Sequence, residues 1–367
     1  MRFTYKGKNY TFERYPKSEN RSLKAWSAAD EHLLKYIDEN NIPFSQPVIY
    51  NDRFGFLSTI FSEQLPNTVI NFKSQEKALD INLKKHNIDR NNVNKINPLE
   101  EPNLSSELSL IKVPKSLELF RLQLYQAQKL LNDKGVILCA FMTKYFSPQI
   151  LSIAEEYFEQ CEQSKAWKKS RILILKKKKK ILKQEFINSI PYSESKNFNQ
   201  YYGVFSAKNI DYATQFLIEN INVKPTDNLI LDLASGNGIL AYVTLTKKPD
   251  SEIHLLDDSF LAIASSKMNL DTKKTHFHYN DSLSDFENNT FDLIISNPPF
   301  HFEHETNIEV TLELFNQVKR CLKDKGCFQL VTSKHLNLKT HLVKLFNKMI
   351  IVNQNEKFII YLCAEPI

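Results

Sequence analysis

Glycine is the residue that this sequence lacks most clearly. The chain has seven glycines in 367 residues, whereas an average protein is roughly 7% glycine. Because glycine is needed where a side chain would collide or where φ is positive, each glycine kept in such a chain is informative. Two of them, Gly236 and Gly238, lie one residue apart. We therefore expect residues 236–238 to form a loop in which the backbone approaches a ligand closely.

The sequence also has few cysteines and no long apolar run. Its five cysteines form no CxxC pair, which argues against a disulfide framework or a cysteine zinc site and favours a reducing compartment. No stretch approaches the 18 or so consecutive apolar residues of a membrane span. Residues 1–17 are charged and aromatic, unlike a targeting signal. We therefore expect a cytoplasmic, monomeric protein that does not contact a membrane.

Positive charge is concentrated in one segment. The chain has 48 basic and 42 acidic residues, a net charge of +6. Residues 165–183 hold ten basic residues and no acidic one, which leaves 38 basic against 42 acidic residues elsewhere. Such a block indicates a polyanionic partner. The alternative interpretation is that these residues form a solvated face of a linker. The candidate phosphate contacts are Lys168, Lys169, Lys176, Lys177 and Lys178.

Strands alternate with helices along both halves of the chain. Apolar runs in the second half predict strands at 229–233, 252–256, 276–279, 290–296 and 327–332. The first half repeats this outline with strands at 47–50, 68–72, 108–113 and 136–141. Such alternation predicts α/β domains with mostly parallel sheets, and we interpret the chain as two tandem copies of one unit. Chance similarity between two generic α/β domains is the alternative.

The two copies differ where chemistry is expected. The first has Gly55 where the second has Gly236 and Gly238, and it has residues 113–115, Val-Pro-Lys, where the second has 297–299, Asn-Pro-Pro. We therefore predict a degenerate scaffold domain over 1–175, a basic and polar connector over 176–198, and a catalytic domain over 199–367.

A nucleotide-type cofactor site is predicted at the ends of three successive strands. Asp232 and Ala234 lead into Gly236 and Gly238, and glycines between a strand and a helix let a cofactor approach the backbone. Asp257 ends the next strand, where an acid can bind ribose hydroxyls, and Asp281 follows the third and could accept from an adenine amino group. Each acid taken singly could be a solvated loop residue. The GxGxxG pattern of dinucleotide enzymes is absent.

The segment Asn297-Pro298-Pro299-Phe300 is the most specific signal. The Asn297 side-chain carbonyl and the Pro298 main-chain carbonyl could accept both N–H groups of a base amine, whose lone pair would then turn toward an incoming methyl group. The prolines stiffen the turn, and Phe300 offers a face for stacking an extruded base. The alternative is a strand-ending turn with an aromatic plug. His301 and His304 lack a third ligand, so no metal is expected.

At these residues the sequence resembles the 23S ribosomal RNA guanine-N2 methyltransferases and their sister family acting on 16S ribosomal RNA. The resemblance covers nearly the whole chain, and the segments that carry it further are 23–31, 51–55, 113–115, 166–169, 204–206, 297–301 and 320–323. The sequence departs from the family pattern at Ala234, where the family has glycine, and at Ala207, where it has arginine, with Lys208 one place late.

This resemblance implies two tandem Rossmann-like class I methyltransferase domains, of which only the second binds a cofactor, S-adenosylmethionine. It implies methylation of the N2 amine of a guanine in 23S ribosomal RNA, with Asn297 also near the cofactor. Phe205, Lys208 and His301 would join the lysines in binding RNA. The alternatives are a 16S enzyme, a related methylase acting on adenine N6 or a protein glutamine, and a non-catalytic RNA-binding protein.

Overall fold

The computed structural model describes residues 2–18, 20, 22–271, 273–298, 301–302, 305–306 and 308–367, with only the backbone described for the residues of 301–309 within these ranges. The chain divides into two compact units, Met1–Phe186 and Ile187–Ile367. In the described part of the chain, no helix is long and apolar enough to span a membrane.

The first unit is an α/β sandwich around a mixed sheet. Its elements are β1 (Arg2–Tyr5), β2 (Lys8–Thr11), α1 (Ala28–Glu39), β3 (Val48–Tyr50), α2 (Phe56–Ile60), β4 (Asn67–Val69), α3 (Lys73–Lys85), β5 (Asn94–Ile96), β6 (Ser106–Lys112), α4 (Leu117–Leu130), β7 (Leu131–Met142), α5 (Pro148–Tyr157), β8 (Phe158–Gln163) and β9 (Ser170–Lys178). Described strands form a seven-stranded sheet in the order β5-β4-β3-β6-β7-β9-β8, in which β9 runs antiparallel to both of its neighbours.

Local sequence explains where these helices start. Ser116 accepts a hydrogen bond from the Leu119 N–H at the start of α4. Ser147 does the same for the Gln149 N–H at the start of α5, where Pro148 occupies a first-turn position that needs no amide hydrogen. The strand β3 is buried along its whole length, and β6 is buried from Leu108 to Ile111, because helices cover both faces of a parallel sheet.

The second unit has the same architecture. Its elements are β10 (Ile187–Ser193), β11 (Lys196–Tyr201), α6 (Tyr212–Asn220), β12 (Leu229–Leu233), α7 (Ile239–Lys247), β13 (Glu252–Asp257), α8 (Phe260–Asn269), β14 (Thr275–Tyr279), β15 (Phe291–Ser296), β16 (His301–Phe302), β17 (Glu305–Thr306), α9 (Ile308–Cys321), β18 (Leu322–Ser333), α10 (Lys339–Leu342), β19 (Phe346–Gln354) and β20 (Phe358–Pro366). Its described seven-stranded sheet has the order β14-β13-β12-β15-β18-β20-β19.

Two apolar layers enclose the second sheet. Ile230 and Ile295 pack on one face with residues of α6 and α7. Leu231 and Ile294 pack on the other with residues of α9. Neighbouring residues of one strand point to opposite faces, so the continuous apolar runs seen in the sequence are those of strands buried on both sides. The predicted fold of two tandem, mostly parallel α/β domains is confirmed.

The doubling can be followed residue by residue. Asn51 and Gly55, after β3, have positive φ values of 59° and 70°, and Ala234 and Gly238, after β12, have 60° and 83°. Gly55 and Gly238 each precede the first residue of the next helix. The two loops are therefore equivalent positions of one fold.

This equivalence corrects the sequence alignment of the two copies by one residue. Tyr50 pairs with Ile111 in the first sheet, and Leu233 pairs with Ser296 in the second. The residue after Ile111 is therefore the counterpart of Asn297. That residue is Lys112, so residues 112–114, rather than 113–115, correspond to 297–299.

The predicted connector over 176–198 contains regular structure at both ends. Lys176, Lys177 and Lys178 are the last three residues of β9, inside the first sheet. Residues from 187 onward belong to the second unit, where β10 and β11 pair as an antiparallel hairpin. The lysines are thus strand residues, because the backbone of β9 continues to pair with β8 up to Lys178 and Phe158.

Candidate active site

A loop with left-handed backbone lies at the carboxyl end of β12. Ala234, Gly236 and Gly238 have φ values of 60°, 56° and 83°. A Cβ added to Gly236 would meet no atom within 4 Å, whereas one added to Gly238 would lie 2.8 Å from the Leu270 side chain. Space is therefore open beside Gly236, at the point where the strand order reverses and α/β folds bind their ligands.

Asp232 supports this loop from beneath. Its side chain is fully buried, and its Oδ2 accepts a hydrogen bond of 3.0 Å from the Ala241 N–H in the first turn of α7. No described residue is a partner for its buried Oδ1. Burial raises the pKa of Asp232 to about 8. The predicted cofactor residue thus joins β12 to α7 and does not face the open space.

Asp257 ends β13 beside the same loop. Its Oδ2 accepts from the Gly236 N–H at 2.9 Å, and its Oδ1 accepts from the Ser259 N–H at 2.8 Å. Burial raises its pKa to about 6, against the opposing effect of these two hydrogen bonds. Each carboxylate oxygen has a further lone pair for a ligand hydroxyl.

Asp281 lies two residues beyond the end of β14 and is partly exposed. Because β13 and β14 are parallel and Asp257 pairs with Tyr279, the two predicted acids lie at the same edge of the sheet.

Asn297 follows β15 and is anchored to the start of α6. Its Nδ2 donates to Asp211 Oδ2 at 3.2 Å and to Thr214 Oγ1 at 2.9 Å. A carboxylate can only accept, so this contact fixes which end of the amide faces α6 and leaves Oδ1 directed elsewhere. Pro298 is buried. Pro299 and Phe300 lie outside the described residues, as does the side chain of His301.

The first unit has an ion pair at the equivalent place. Lys112 Nζ lies 3.1 Å from Asp30 Oδ2. Asp30 is the third residue of α1, as Thr214 is the third residue of α6. The first unit therefore joins the end of β6 to the start of α1, and the second joins the end of β15 to the start of α6. Only in the second unit does an amide make this contact.

A side chain absent from the predictions connects two loops of the site. The buried Gln200 donates from Nε2 to the carbonyls of Val204, Phe205 and Ser206, at 3.2–3.3 Å. Its Oε1 accepts from Asn237 Nδ2 at 2.8 Å. Gln200 thus holds the segment 204–206 to the glycine loop.

Aromatic side chains are exposed in the segment before α6 and at the first residue of this helix. Phe205 is 70% exposed and Tyr212 77%, and Lys208 is also exposed. Tyr212 follows Asp211, the residue that holds Asn297, so an exposed ring lies next in sequence to the residue that anchors the amide. Phe205 and Lys208 were predicted, whereas Tyr212 was missed.

The predicted basic residues fall into two groups in the first unit. Lys168 pairs with Glu31 at 2.7 Å and lies over the Trp167 ring, in the turn before β9, and Lys169 follows it in that turn with a φ of 60°. Lys178 pairs with Asp133 at 3.3 Å. The side chains of Lys176 and Lys177 are exposed, and neither forms an ion pair with a described residue.

The first unit has no cofactor site of this kind within its described residues. Register places Ile70 where the second unit has Asp257, because Val69 and Leu256 hold equivalent positions in the sheets. The Asn51 amide, at the position of Ala234, is bonded to the Lys112 carbonyl and to the Gln123 side chain. A closed amide network therefore replaces the open loop.

Comparison with known proteins assigns each unit. Residues 1–180 match the family model of the RLMG N-terminal domain, and residues 195–362 match that of the methyltransferase small domain. Ribosomal RNA large subunit methyltransferase G of Colwellia psychrerythraea is 27% identical over 97% of both chains. The protein of the same name from Yersinia enterocolitica is 28% identical over 96% of this chain and 91% of its own.

A solved structure shares the fold over the whole chain. It is the T. Thermophilus 16S rRNA N2 G1207 methyltransferase in complex with AdoMet and guanosine, with a TM-score of 0.79 and 18% identity over 100% of this chain and 97% of its own.

Fold and comparisons together define a methyltransferase of class I fold, with S-adenosylmethionine as its cofactor. Within that class residues 1–180 match the model of the RLMG N-terminal domain, and the chain resembles ribosomal RNA large subunit methyltransferase G along nearly its entire length. The family resemblance expected from the sequence is confirmed.

Proposed function

We propose that this protein transfers a methyl group from S-adenosylmethionine to the N2 amine of a specific guanine in 23S ribosomal RNA. The observation that carries the proposal is the orientation of the Asn297 amide, whose Nδ2 is held by Asp211 and Thr214. Relatives named for the large ribosomal subunit support the choice of RNA, and the solved structure that shares the fold is that of a 16S rRNA N2 G1207 methyltransferase.

The anchored amide suits an amine substrate. An exocyclic base amine is a poor nucleophile because its lone pair is delocalised into the ring. With Nδ2 engaged, Asn297 presents its carbonyl Oδ1, which can only accept. An amine N–H donating to Oδ1, and the second N–H donating to the Pro298 carbonyl, would hold the nitrogen with its lone pair turned out of the ring plane. Rate enhancement then comes mainly from positioning and from the fixed dipoles.

The second unit supplies the cofactor site. The open space beside Gly236 and the Asp257 carboxylate fit the ribose end of S-adenosylmethionine, and Asp281, at the same edge of the sheet, would accept a hydrogen bond from its adenine amino group. When bound, the cofactor supplies an electrophilic methyl group on a sulfonium. Asp232 and Ala234 shape the loop, and Asn297 borders both ligands.

The remaining side chains would hold RNA. Exposed Phe205 and Tyr212 offer faces for base stacking, and Lys208 is free to approach a phosphate. The first unit serves as a scaffold that adds phosphate contacts from Lys168, Lys169, Lys176, Lys177 and Lys178. We propose that the protein works as a monomer in the cytoplasm, where ribosomal RNA is found.

Mapping of N2-methylguanine in ribosomal RNA tests this function. Purified protein, S-adenosylmethionine and unmodified 23S or 16S RNA are incubated, and the modified position is identified by mass spectrometry. We expect one N2-methylguanine in 23S RNA with wild-type protein, formed on the order of a hundredfold more slowly with Asn297→Ala. Methylation confined to 16S RNA, to adenine N6 or to protein would refute the proposed substrate. Cofactor binding without any methyl transfer would instead indicate an RNA-binding protein that has lost its activity.

A further inference from the structure

Three ionisable side chains converge on the edge of the second sheet, away from the active site. Glu252 and His254 lie on one face of β13, and His276 lies opposite His254 on β14. Glu252 Oε1 is 2.6 Å from His276 Nε2 and 4.0 Å from His254 Nε2. All three donor atoms lie within 4.8 Å of one another. We call these three residues the edge cluster.

A third imidazole, that of His278, orients the cluster from behind. His254 Nδ1 lies 2.9 Å from His278 Nε2, and the two rings are stacked with their centroids 5.0 Å apart. If His254 Nε2 binds a metal, its Nδ1 must carry the proton and donate it in a hydrogen bond to His278 Nε2. This is the arrangement in which metal-binding histidines are held, with the second ring nitrogen donating to a fixed acceptor. Phe286 and Phe291 pack against the same His254 ring and limit its rotation.

The first unit shows that the fold does not need these groups. Register places Asn67 at the position of His254 and Asn94 at that of His276. Asn94 Nδ2 donates to Asn67 Oδ1 at 2.9 Å, so a neutral amide pair occupies the same place in the first sheet. Leu65 corresponds to Glu252. The second unit has therefore replaced an amide pair and an apolar residue by two imidazoles and a carboxylate.

We propose that the edge cluster binds one zinc ion through His254, His276 and Glu252. Imidazole nitrogen and carboxylate oxygen are common zinc ligands, and tetrahedral bonds of about 2.0–2.1 Å place neighbouring donor atoms about 3.3 Å apart. The distances of 2.6 and 4.0 Å lie on either side of this value, so small side-chain rotations suffice. The three residues supply three of the four zinc ligands. Because Glu252 and His276 are both accessible to solvent, water can supply the fourth.

Such a site would stabilise an edge and take no part in methyl transfer. Glu252 begins β13 and His276 is the second residue of β14, whereas Asp257 and Asp281 lie at or beyond the opposite ends of these strands. Zinc would join the edge strand β14 to β13. Binding to the folded state alone raises the free energy of unfolding as metal concentration rises above the Kd.

Zinc titration of the untagged, full-length protein tests the proposal. Calorimetry after chelator treatment should show one equivalent of Zn²⁺, and Co²⁺ should give the visible absorption of a four-coordinate site. Glu252→Gln and His276→Gln should each weaken Zn²⁺ binding at least tenfold. His335→Gln changes an exposed histidine outside the cluster and should bind like the wild type.

Two further readouts keep the test decisive. Added Zn²⁺ should raise the melting temperature of the wild type and of His335→Gln but not of His276→Gln, while all three methylate RNA at the same rate. Failure to bind stoichiometric Zn²⁺, or equal affinity of His276→Gln and His335→Gln, would overturn the proposal. Because methylation is measured separately, its absence in every protein would bear only on the proposed function.

Discussion

Ala234 holds a backbone conformation that side chains disfavour. Its φ of 60° lies in the left-handed region, where a Cβ approaches the following carbonyl oxygen at a cost of roughly 1–2 kcal/mol. Its counterpart in the first unit is Asn51, a residue type that tolerates this region because its side chain can bond locally. Alanine has no such compensation.

Ala234→Gly is therefore expected to raise the free energy of unfolding. The relief of left-handed strain exceeds the entropic cost of glycine, which is about 0.5–1 kcal/mol, so we expect a gain of up to about 1 kcal/mol. Cofactor affinity should stay the same or tighten. Denaturant unfolding and calorimetry measure both. Ala154→Gly, within α5, is a matched control expected to destabilise, and a clear loss of cofactor affinity in Ala234→Gly would contradict the expectation.

Asn297→Ala tests the residue that holds the amine. Removal of one preorganised contact of this kind typically lowers turnover by on the order of a hundredfold. Cofactor affinity should remain, because the contacts beside Gly236 and Asp257 are untouched. Methyl transfer at saturating RNA and cofactor calorimetry separate the two effects. Asn347→Ala, at an exposed position of β19, should behave as the wild type, and normal turnover in Asn297→Ala would remove it from the mechanism.

Individual site residues were predictable where local sequence carries the chemistry. Gly236, Gly238, Asp257 and Asn297 follow apolar strands at the spacing that a parallel sheet requires. Asp211, Thr214 and Gln200 were missed because their contacts are long-range. Asp211 is separated from Asn297 by 86 positions, and Gln200 from Asn237 by 37. Polar residues of this type are common before helices, so their role becomes visible only when the fold brings them to their partners.

At the scale of elements, one buried carboxyl group joins the central strand to its helix. Asp232 has no exposed surface, and its pKa is raised to about 8 by burial. In the unfolded chain the same group ionises near pH 3.9. Between these values the folded state keeps a proton that the unfolded state releases. The contribution of Asp232 to stability is thus fully present below about pH 4 and is lost as pH rises toward 8.

Asp232→Asn should make stability less dependent on pH. The amide oxygen keeps the hydrogen bond from Ala241 without ionising, so a slope of at most about 1.4 kcal/mol per pH unit is removed. The slope is measured by denaturant unfolding between pH 6 and 8, because this range lies above the pKa of Asp257, which is about 6. Burial acts to raise the pKa of Asp292, but the contact with Lys323 keeps this pKa low. Asp292→Asn should therefore leave the slope unchanged, and an unchanged slope in Asp232→Asn would refute the assignment.

Most strands of the two sheets were predictable from their apolar runs, but the edge strands β5, β8 and β19, the strand β20 and the hairpin of β10 and β11 were not predicted. The sequence of the hairpin is polar and contains Pro191, at which the pairing register shifts, and the turn between Ser193 and Lys196 lacks the Asn-Gly or Asp-Gly pair typical of hairpins. Burial alternates along both strands, but the inward positions include polar residues such as Asn188 and Gln200, so the sequence shows no apolar alternation. Packing against α8 supplies the stability that local sequence does not.

At the scale of the whole molecule, the duplicated fold should bind a single cofactor. Calorimetry on the full chain is expected to give one equivalent of S-adenosylmethionine. Asp257→Ala should lower the affinity sharply, because the carboxylate facing the loop is lost. Asn51→Ala, which opens the amide network of the first unit, should leave affinity and stoichiometry unchanged. Two equivalents in the wild type would show that the first unit also binds.

Exposed lysines of the first unit should contribute affinity for RNA but no sequence preference. Lys176, Lys177 and Lys180 are exposed and form no ion pair with a described residue, whereas Lys178 pairs with Asp133. Changing the three to glutamine should weaken binding to all RNA. The slope of log affinity against log salt should fall by at most about 0.7 per lost single-strand phosphate contact.

A control with equal charge change makes this test specific. Glutamines at Lys325, Lys344 and Lys348, which are exposed in the second unit, remove the same three charges elsewhere. Methylation at saturating RNA should be similar in all three proteins. If both triple variants lower the affinity and the salt slope equally, only net charge matters and the β9 lysines are not a contact surface.

The Gln200 side chain has a consequence for how the binding of one ligand affects the affinity for the other. One amide holds the segment 204–206 with its exposed Phe205 and also holds the glycine loop through Asn237. A ligand that shifts either loop changes the contact made with the other. Linkage makes such an effect reciprocal, so RNA and cofactor should each change the affinity of the other by the same factor. Because the connecting group is neutral, this cooperativity should persist at salt concentrations that abolish the contribution of the lysines.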